Sequence, residues 1–319
     1  MIRNRMKGEF QFFNKKGGEL VPFLDGAKSR NLIVDQFFEC IGSGVNGAPN
    51  ATMAFSNSTN TIMPSPSRWF IVGTGSTPPA ANDTGLENQL ASTDLVIDHA
   101  HSYSYDAQED TLTFTTVSTQ SFPLGGVIGN ISEVGVDFRG AATPWNNRFL
   151  QSRALIRDAQ GDPTTISLGA EDQLVVVYTL TRVCNRTFSG TTAGGIGYTG
   201  KLVGYSTVGN GINRGTINHN STQFGVRFTD QDWTFPAYNG TTFPNTTNFS
   251  VDMVTVQNAN TKQSRVRYRV PLGMANFAAG LKGIYFGQGL LQIKFDSPVM
   301  KTLDDILDIE LFTSFENAA

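Results

Sequence analysis

Apolar side chains recur at every second position in the most regular stretches of this chain, and a period of two is the period of a β-strand. In QLVVVYTLTR (Gln173–Arg182), Leu174, Val176, Tyr178 and Leu180 fall on one face. The other face carries Val175, Val177, Thr179 and Thr181, which predicts a strand buried on both sides. RVRYRV (Arg265–Val270) alternates more cleanly, with Val266, Tyr268 and Val270 inward and three arginines outward. Shorter segments of the same kind are RWFIV (Arg68–Val72), TLTFTTV (Thr111–Val117), EVGVDF (Glu133–Phe138), LLQIKF (Leu290–Phe295) and DIELFTSF (Asp308–Phe315). Clusters of Gly, Pro, Asn, Ser and Thr separate them, the residues of turns and loops. Long helical periods are absent; TLDDIL (Thr302–Leu307) and DTGLENQL (Asp83–Leu90) predict a turn or two of helix each. The pattern predicts an all-β fold, an antiparallel β-sandwich or distorted barrel with long loops and at most short helices.

No internal repeat of solenoid length is present, so a single intertwined unit is expected over 31–319, preceded by an N-terminal arm or strand over 1–30. A sub-boundary falls near 186–200, where composition shifts to Gly and Thr. Two stretches are too long for tight turns: Gly42–Pro66, polar and Pro-interrupted, and Arg186–Gln223, rich in Gly, Thr and Asn. The second has too little apolar area to offset its own ordering entropy, so a neighbouring subunit is expected to order it around Gly194 and Asn213.

Charged residues make up 16% of the chain, against roughly 25% in an ordinary soluble domain, which suggests a surface partly covered by other protein. A net charge of −3 gives no electrostatic basis for holding nucleic acid. The amino terminus is basic without an apolar signal core, and no stretch is long and apolar enough to cross a membrane as a helix. The expectation is a soluble chain made in a cytoplasm, with no nucleic-acid and no membrane partner. Nine N-x-[ST] triplets would suit a secreted glycoprotein, but an Asn-, Ser- and Thr-rich chain generates such triplets by composition.

Candidate chemistry is thin. IGSGVNG (Ile41–Gly47) contains G-x-G-x-x-G, yet a dinucleotide site needs a helix to follow it, and a polar loop with Pro49 follows here. VIDHAHSYSYD (Val96–Asp106) would place His99 and His101 on one strand face, with Asp106, Glu109 or Asp110 near by; that spacing guarantees two metal ligands, short of a site. Cys40 and Cys184 sit among apolar residues and read as small buried hydrophobes. No nucleophile elbow is present, and Asp94, Asp98 and Asp110 form no carboxylate motif. No catalytic residue, cofactor or metal is expected. Two features suit binding instead. Arg265, Arg267 and Arg269 form a row that could fork onto carboxylates of an adjacent subunit or stay solvated. Trp233, Phe235, Tyr238 and Phe243 could stack on sugar rings if exposed, with Trp233 and Tyr238 as receptor contacts.

Several segments together resemble a family of tailed-bacteriophage structural proteins, the tail or tail-fibre-like components. SRNLIVDQFFECIG (Ser29–Gly42) is similar to the family's opening element, and RWFIVGTGSTPPAANDTGLENQL (Arg68–Leu90) to a strand and the loop after it. NISEVGVDF (Asn130–Phe138) and FLQSRALIRDAQGDPTTISLGAEDQLVVVYTLTR (Phe149–Arg182) resemble its central block, and IKFDSPVMKTLDDILDIELFTSFE (Ile293–Glu316) its closing strands. The resemblance implies a non-enzymatic virion protein that contacts copies of itself and other virion proteins. It supplies no catalytic residues. Alternative readings are a receptor- or carbohydrate-binding module recognising host surface glycan, a capsid decoration or neck protein, and, less well supported, a tail-borne glycan hydrolase. Gly42–Pro66 and Arg186–Ser264 have no counterpart in the resemblance.

Overall fold

The computed structural model describes residues 2–42, 68–139, 148–192, 194–202, 226–236, 247–249, 252–256, 263–286 and 291–318. Among them lie twenty-two strands and one α-helix, α1 (Asp35–Gly42). The largest sheet has nine strands. Across it run β18 (Asp252–Val256), β19 (Gln263–Val270), β22 (Leu307–Asn317), β1 (Ile2–Lys16), β13 (Leu174–Asn185), β8 (Thr111–Ser121) and β7 (Val96–Asp106). β2 (Glu19–Pro22) and β3 (Ser29–Arg30) add to the later half of β1. All neighbours are antiparallel except β1 and β22, which run parallel over Ile2–Met6 and Thr313–Asn317.

A five-stranded sheet orders β4 (Leu32–Ile33), β11 (Arg148–Leu155), β10 (Glu133–Arg139), β5 (Arg68–Gly73) and β6 (Gln89–Thr93). A six-stranded sheet orders β14 (Thr187–Thr191), β15 (Gly197–Leu202), β21 (Leu291–Val299), β20 (Leu281–Phe286), β16 (Val226–Thr229) and β17 (Thr247–Phe249). β9 (Gly129–Ile131) and β12 (Ile166–Leu168) form a small pair. The fold is all-β and sandwich-like, and none of these sheets closes into a barrel among the described residues.

The long strands of the large sheet serve two cores. Leu174, Val176, Tyr178 and Leu180 of β13 pack with Phe10, Phe12, Phe70, Val134 and Val136 in the first. Two positions beyond the intervening Arg182, Cys184 of the same strand face lies in the second, with Leu112, Phe114, Ile284, Ile293 and Phe295. Each fully buried side chain of this size contributes about 1.5–3 kcal/mol. Phe10 and Tyr178 lie 4.7 Å apart, with Phe70 edge-on to both. Gly8 is needed there, because a Cβ would come 2.5 Å from the Tyr178 hydroxyl.

The outer face of β13 is less covered than its two-sided pattern predicts: Val175 is buried, while Val177, Thr179 and Thr181 are half-buried. Three local expectations need correction. Thr302–Leu307 is a turn rather than a helix, closed by the Thr302 amide and hydroxyl donating to Asp305 at 2.7 Å each. Asp83–Leu90 is an irregular loop running into β6. Arg186–Gln223 is not left to a neighbour in its first part, since Thr187–Leu202 supplies two strands of the chain's own six-stranded sheet; 203–223 lies outside the described residues.

Candidate assembly surfaces

The loop between β5 and β6 is fastened to a buried ion pair. Glu133 and Arg153 are neighbours on β10 and β11, 0% and 3% exposed, and Arg153 Nε donates to Glu133 Oε2 at 2.9 Å. Glu133 also accepts the amides of Gly75, Glu87 and Asn88 at 2.9–3.1 Å, so all of its charge is answered. Arg153 reaches Asp83 at 2.9 Å and the Thr77 carbonyl at 3.1 Å. Burial pulls the guanidinium down, but Asp83 and Glu133 outweigh it and hold the pKa above the ordinary value. Glu87 accepts Thr77 and Ser76 amides and the Thr77 hydroxyl, bonds that hold its carboxyl below the usual range. Gly73 and Gly75 serve close approach here rather than an unusual backbone: a Cβ on either would meet Glu133 Oε1 at 2.5–2.6 Å. The loop is therefore rigid scaffold.

A second joint ties the six-stranded sheet to the β7–β8 turn. Arg186 donates to the Leu202 carbonyl at 2.8 Å and to Asp110 at 3.1 Å. Asp110 also takes the hydroxyls of Thr187 and Tyr105. Burial raises the Asp110 pKa, but the bonds from Thr187, Arg186 and Tyr105 prevail and hold it below the usual range. Between the two cores runs a polar seam in which Arg182 donates to Asn4 Oδ1 at 2.8 Å and lies 5.0 Å from the Phe114 ring. Burial lowers the Arg182 pKa and pushes up the Cys184 thiol beside it, leaving that thiol neutral and inert as a nucleophile.

The predicted contact residues do not converge on one site. Register puts Arg269 opposite Asp308 and Arg267 opposite Glu310, and Arg269 forks onto both Asp308 oxygens at 2.9 Å. Carboxylates of its own chain, not of a neighbour, answer Arg269; the Arg265 and Arg267 side chains lie outside the described residues. Trp233 is 7% exposed and seated on Gly283, where a Cβ would come 2.4 Å from its Nε1. Its carbonyl accepts from Lys294 at 2.6 Å and its ring stands edge-on to Phe235, so it packs on the sheet and offers no face to a sugar. Tyr238, Phe243 and Asn213 lie outside the described residues, as do 43–67 with most of the glycine motif and the Cys40 side chain. Gly194 occupies the exposed β14–β15 turn. His99 and His101 sit opposite Ser118 and Thr116, and among the described residues no three His, Cys, Asp or Glu side chains are grouped to hold a metal.

Among the described residues, one flank is left without a covering strand. β6 ends the five-stranded sheet and β7, next in the chain, ends the nine-stranded sheet. Leu90, Leu95 and Ile97 on this run are 45–55% exposed. From Trp69 to Phe138 the chain has no lysine or arginine and nine carboxylates, a run of sequence that composition over the whole chain conceals. Asp94, Asp98, Asp106 and Glu109 along the flank are exposed and join none of the ion pairs among the described residues. No family model, curated protein or solved structure matches the chain. Its surfaces must therefore speak for themselves. A second opening lies between β14 and β22, a cleft of about 430 Å³ floored by Ile293, Phe295 and Tyr198 and edged by Thr191, Asp308 and Glu310.

Proposed function

We propose that this chain is a non-enzymatic structural subunit of a tailed-phage virion, built into the tail, its fibres or its adsorption apparatus. It is held there by interfaces with copies of itself and with other virion proteins. The observation that carries the reading is the flank Gln89–Asp106, where consecutive strands end two different sheets with no further strand beside them among the described residues and with three large apolar side chains exposed along the run. An open strand edge is a row of unsatisfied main-chain donors and acceptors, and stable β proteins guard such edges with lysine, proline or a covering element. Here there is no lysine or proline between Gln89 and Asp106, and the guards are acidic. Two copies of β7 laid against each other would bring Asp98 and Asp106 together, so like charge opposes self-pairing at this edge. A different, less acidic surface suits it. The segments that resemble phage tail proteins support the virion setting, and every conspicuous buried ion pair is accounted for as a joint of the fold.

The test is an image of the intact particle. Density for this chain in repeated copies, with Leu90, Leu95 and Ile97 covered by a neighbour, is the expected result. A purified particle lacking the chain, or one carrying it with this flank facing solvent, would sink the proposal.

A further inference from the structure

The nine-stranded sheet is incomplete beside β22. Thr313–Asn317 is flanked by β1, whereas Leu307–Phe312 has β19 on one side and, among the described residues, no strand on the other. β14 is also a lateral strand, paired there with β15 alone. The cleft lies between these two edges. It also lies on the track of β1. That strand pairs β13 with Asn4 opposite Cys184, and β22 with Ile2 opposite Thr313. Carried back past Ile2, the same two registers reach Thr187–Thr191 of β14 and Phe312–Asp308 of β22.

We propose that the cleft is an open strand position that takes an extended segment of a neighbouring subunit. The incoming backbone bonds the open run of β22, and its inward side chains rest on Ile293, Phe295 and Tyr198. Strand addition gets its affinity from main-chain bonds and its selectivity from alternate side-chain pockets, and both elements are present here. Tyr198 and Phe295 meet edge-on, and burial raises the Tyr198 pKa, so its hydroxyl enters the interface neutral. Among the described residues no lysine or arginine lines the cleft, while Asp308 and Glu310 do, and Asp296 lies against Gly197 beside it. Arg269 answers Asp308 from the far side. The segment that fits is therefore apolar on alternate residues with a cationic residue outward. The identity of the donor as a fellow subunit rests on the assembly reading above; the strand position itself does not.

The collinearity with β1 gives a direct test. Six residues, Thr-Val-Lys-Val-Thr-Val, fused ahead of Met1 of the full chain should fill the cleft in cis. Expected are a rise in melting temperature of about 2–4 °C and slowed amide exchange confined to 187–191 and 308–312. A Gly-Ser extension of equal length should give neither. The same hexapeptide, free and blocked at both ends, should bind the unextended chain and bind the extended one at least tenfold more weakly. An extension that leaves melting and exchange unchanged, together with no peptide binding, overturns the proposal, as does protection appearing elsewhere. A filled cleft in a protein that is absent from particles would overturn the virion reading and leave the strand position standing.

Discussion

The two cores share one sheet, but the buried ion pairs beside them are built differently. At the first, Glu133 and Arg153 are buried and every oxygen and most of the guanidinium is bonded, with the loop from Thr74 to Asn88 wrapped over them. At the second, Arg186 is buried but its carboxylate, Asp110, is one-third exposed, and an open cleft lies near by. A closed ion pair pins a loop to its own sheet; a half-open one leaves its carboxylate within reach of solvent.

Breaking the first joint should have the largest effect. Arg153→Ala leaves Glu133 charged and buried, and the loss of one partner of such a pair costs about 3–5 kcal/mol. Chemical denaturation followed by tryptophan fluorescence would measure it; a loss below 1 kcal/mol would mean the loop holds without its anchor. Arg186→Ala should cost less, about 1–3 kcal/mol, because Asp110 can turn to water. If the two variants prove equal, the contrast between closed and half-open joints fails.

Acid sharpens the same comparison. The Asp110 carboxyl titrates lower in the folded chain than in the unfolded one, so the unfolded chain binds more protons in that range. Its stabilisation is whole above the unfolded carboxylate pKa of roughly 4 and disappears as pH falls through the lower folded value. Glu87 has the same sign. Asp110→Asn should therefore flatten the fall in melting temperature between pH 5 and pH 3, and an unchanged slope would assign that fall to other carboxylates. The smallest effect is expected at Arg269→Ala, where an exposed pair contributes about 0–1 kcal/mol and added salt should erase it. A larger loss would show that the arginine row does more than answer its own chain.

Much of the strand pattern could be read from sequence because a half-buried strand writes its burial into every second residue. β1 is the exception that explains the limit. Its inward positions are Asn4, Met6, Gly8, Phe10, Phe12 and Asn14, of which three are apolar. Gly8 makes room for Tyr178 and Asn4 serves the Arg182 seam, so the strand's signal is erased by the partners it meets. The joints were illegible for a related reason. Glu133 lies in an alternating strand like any outward-facing carboxylate, and Arg153 looks like a solvated charge until strand pairing sets them diagonally across from each other on adjacent strands. α1 is short, and DQFFECIG carries no cap strong enough to announce it. Trp233 was misread because aromatic content says nothing about which face is covered; Gly283 beneath it was the sign, and a glycine in a strand is legible only once its neighbour is known.

The parallel pairing of β1 with β22 sets a clock on the molecule's biogenesis. Residues 2–6 are made more than three hundred positions before their partners at 313–317. At roughly 5–20 residues per second of synthesis, the first strand waits some tens of seconds for its second neighbour. During that wait β1 can be zipped to β13 on one side while its other edge stays bare. Nothing in the large sheet is complete until nearly all of the chain exists, and contacts of such sequence separation are the slow ones in folding. A chain built this way cannot finish its largest sheet while its early strands alone have been translated, so its folding is completed late.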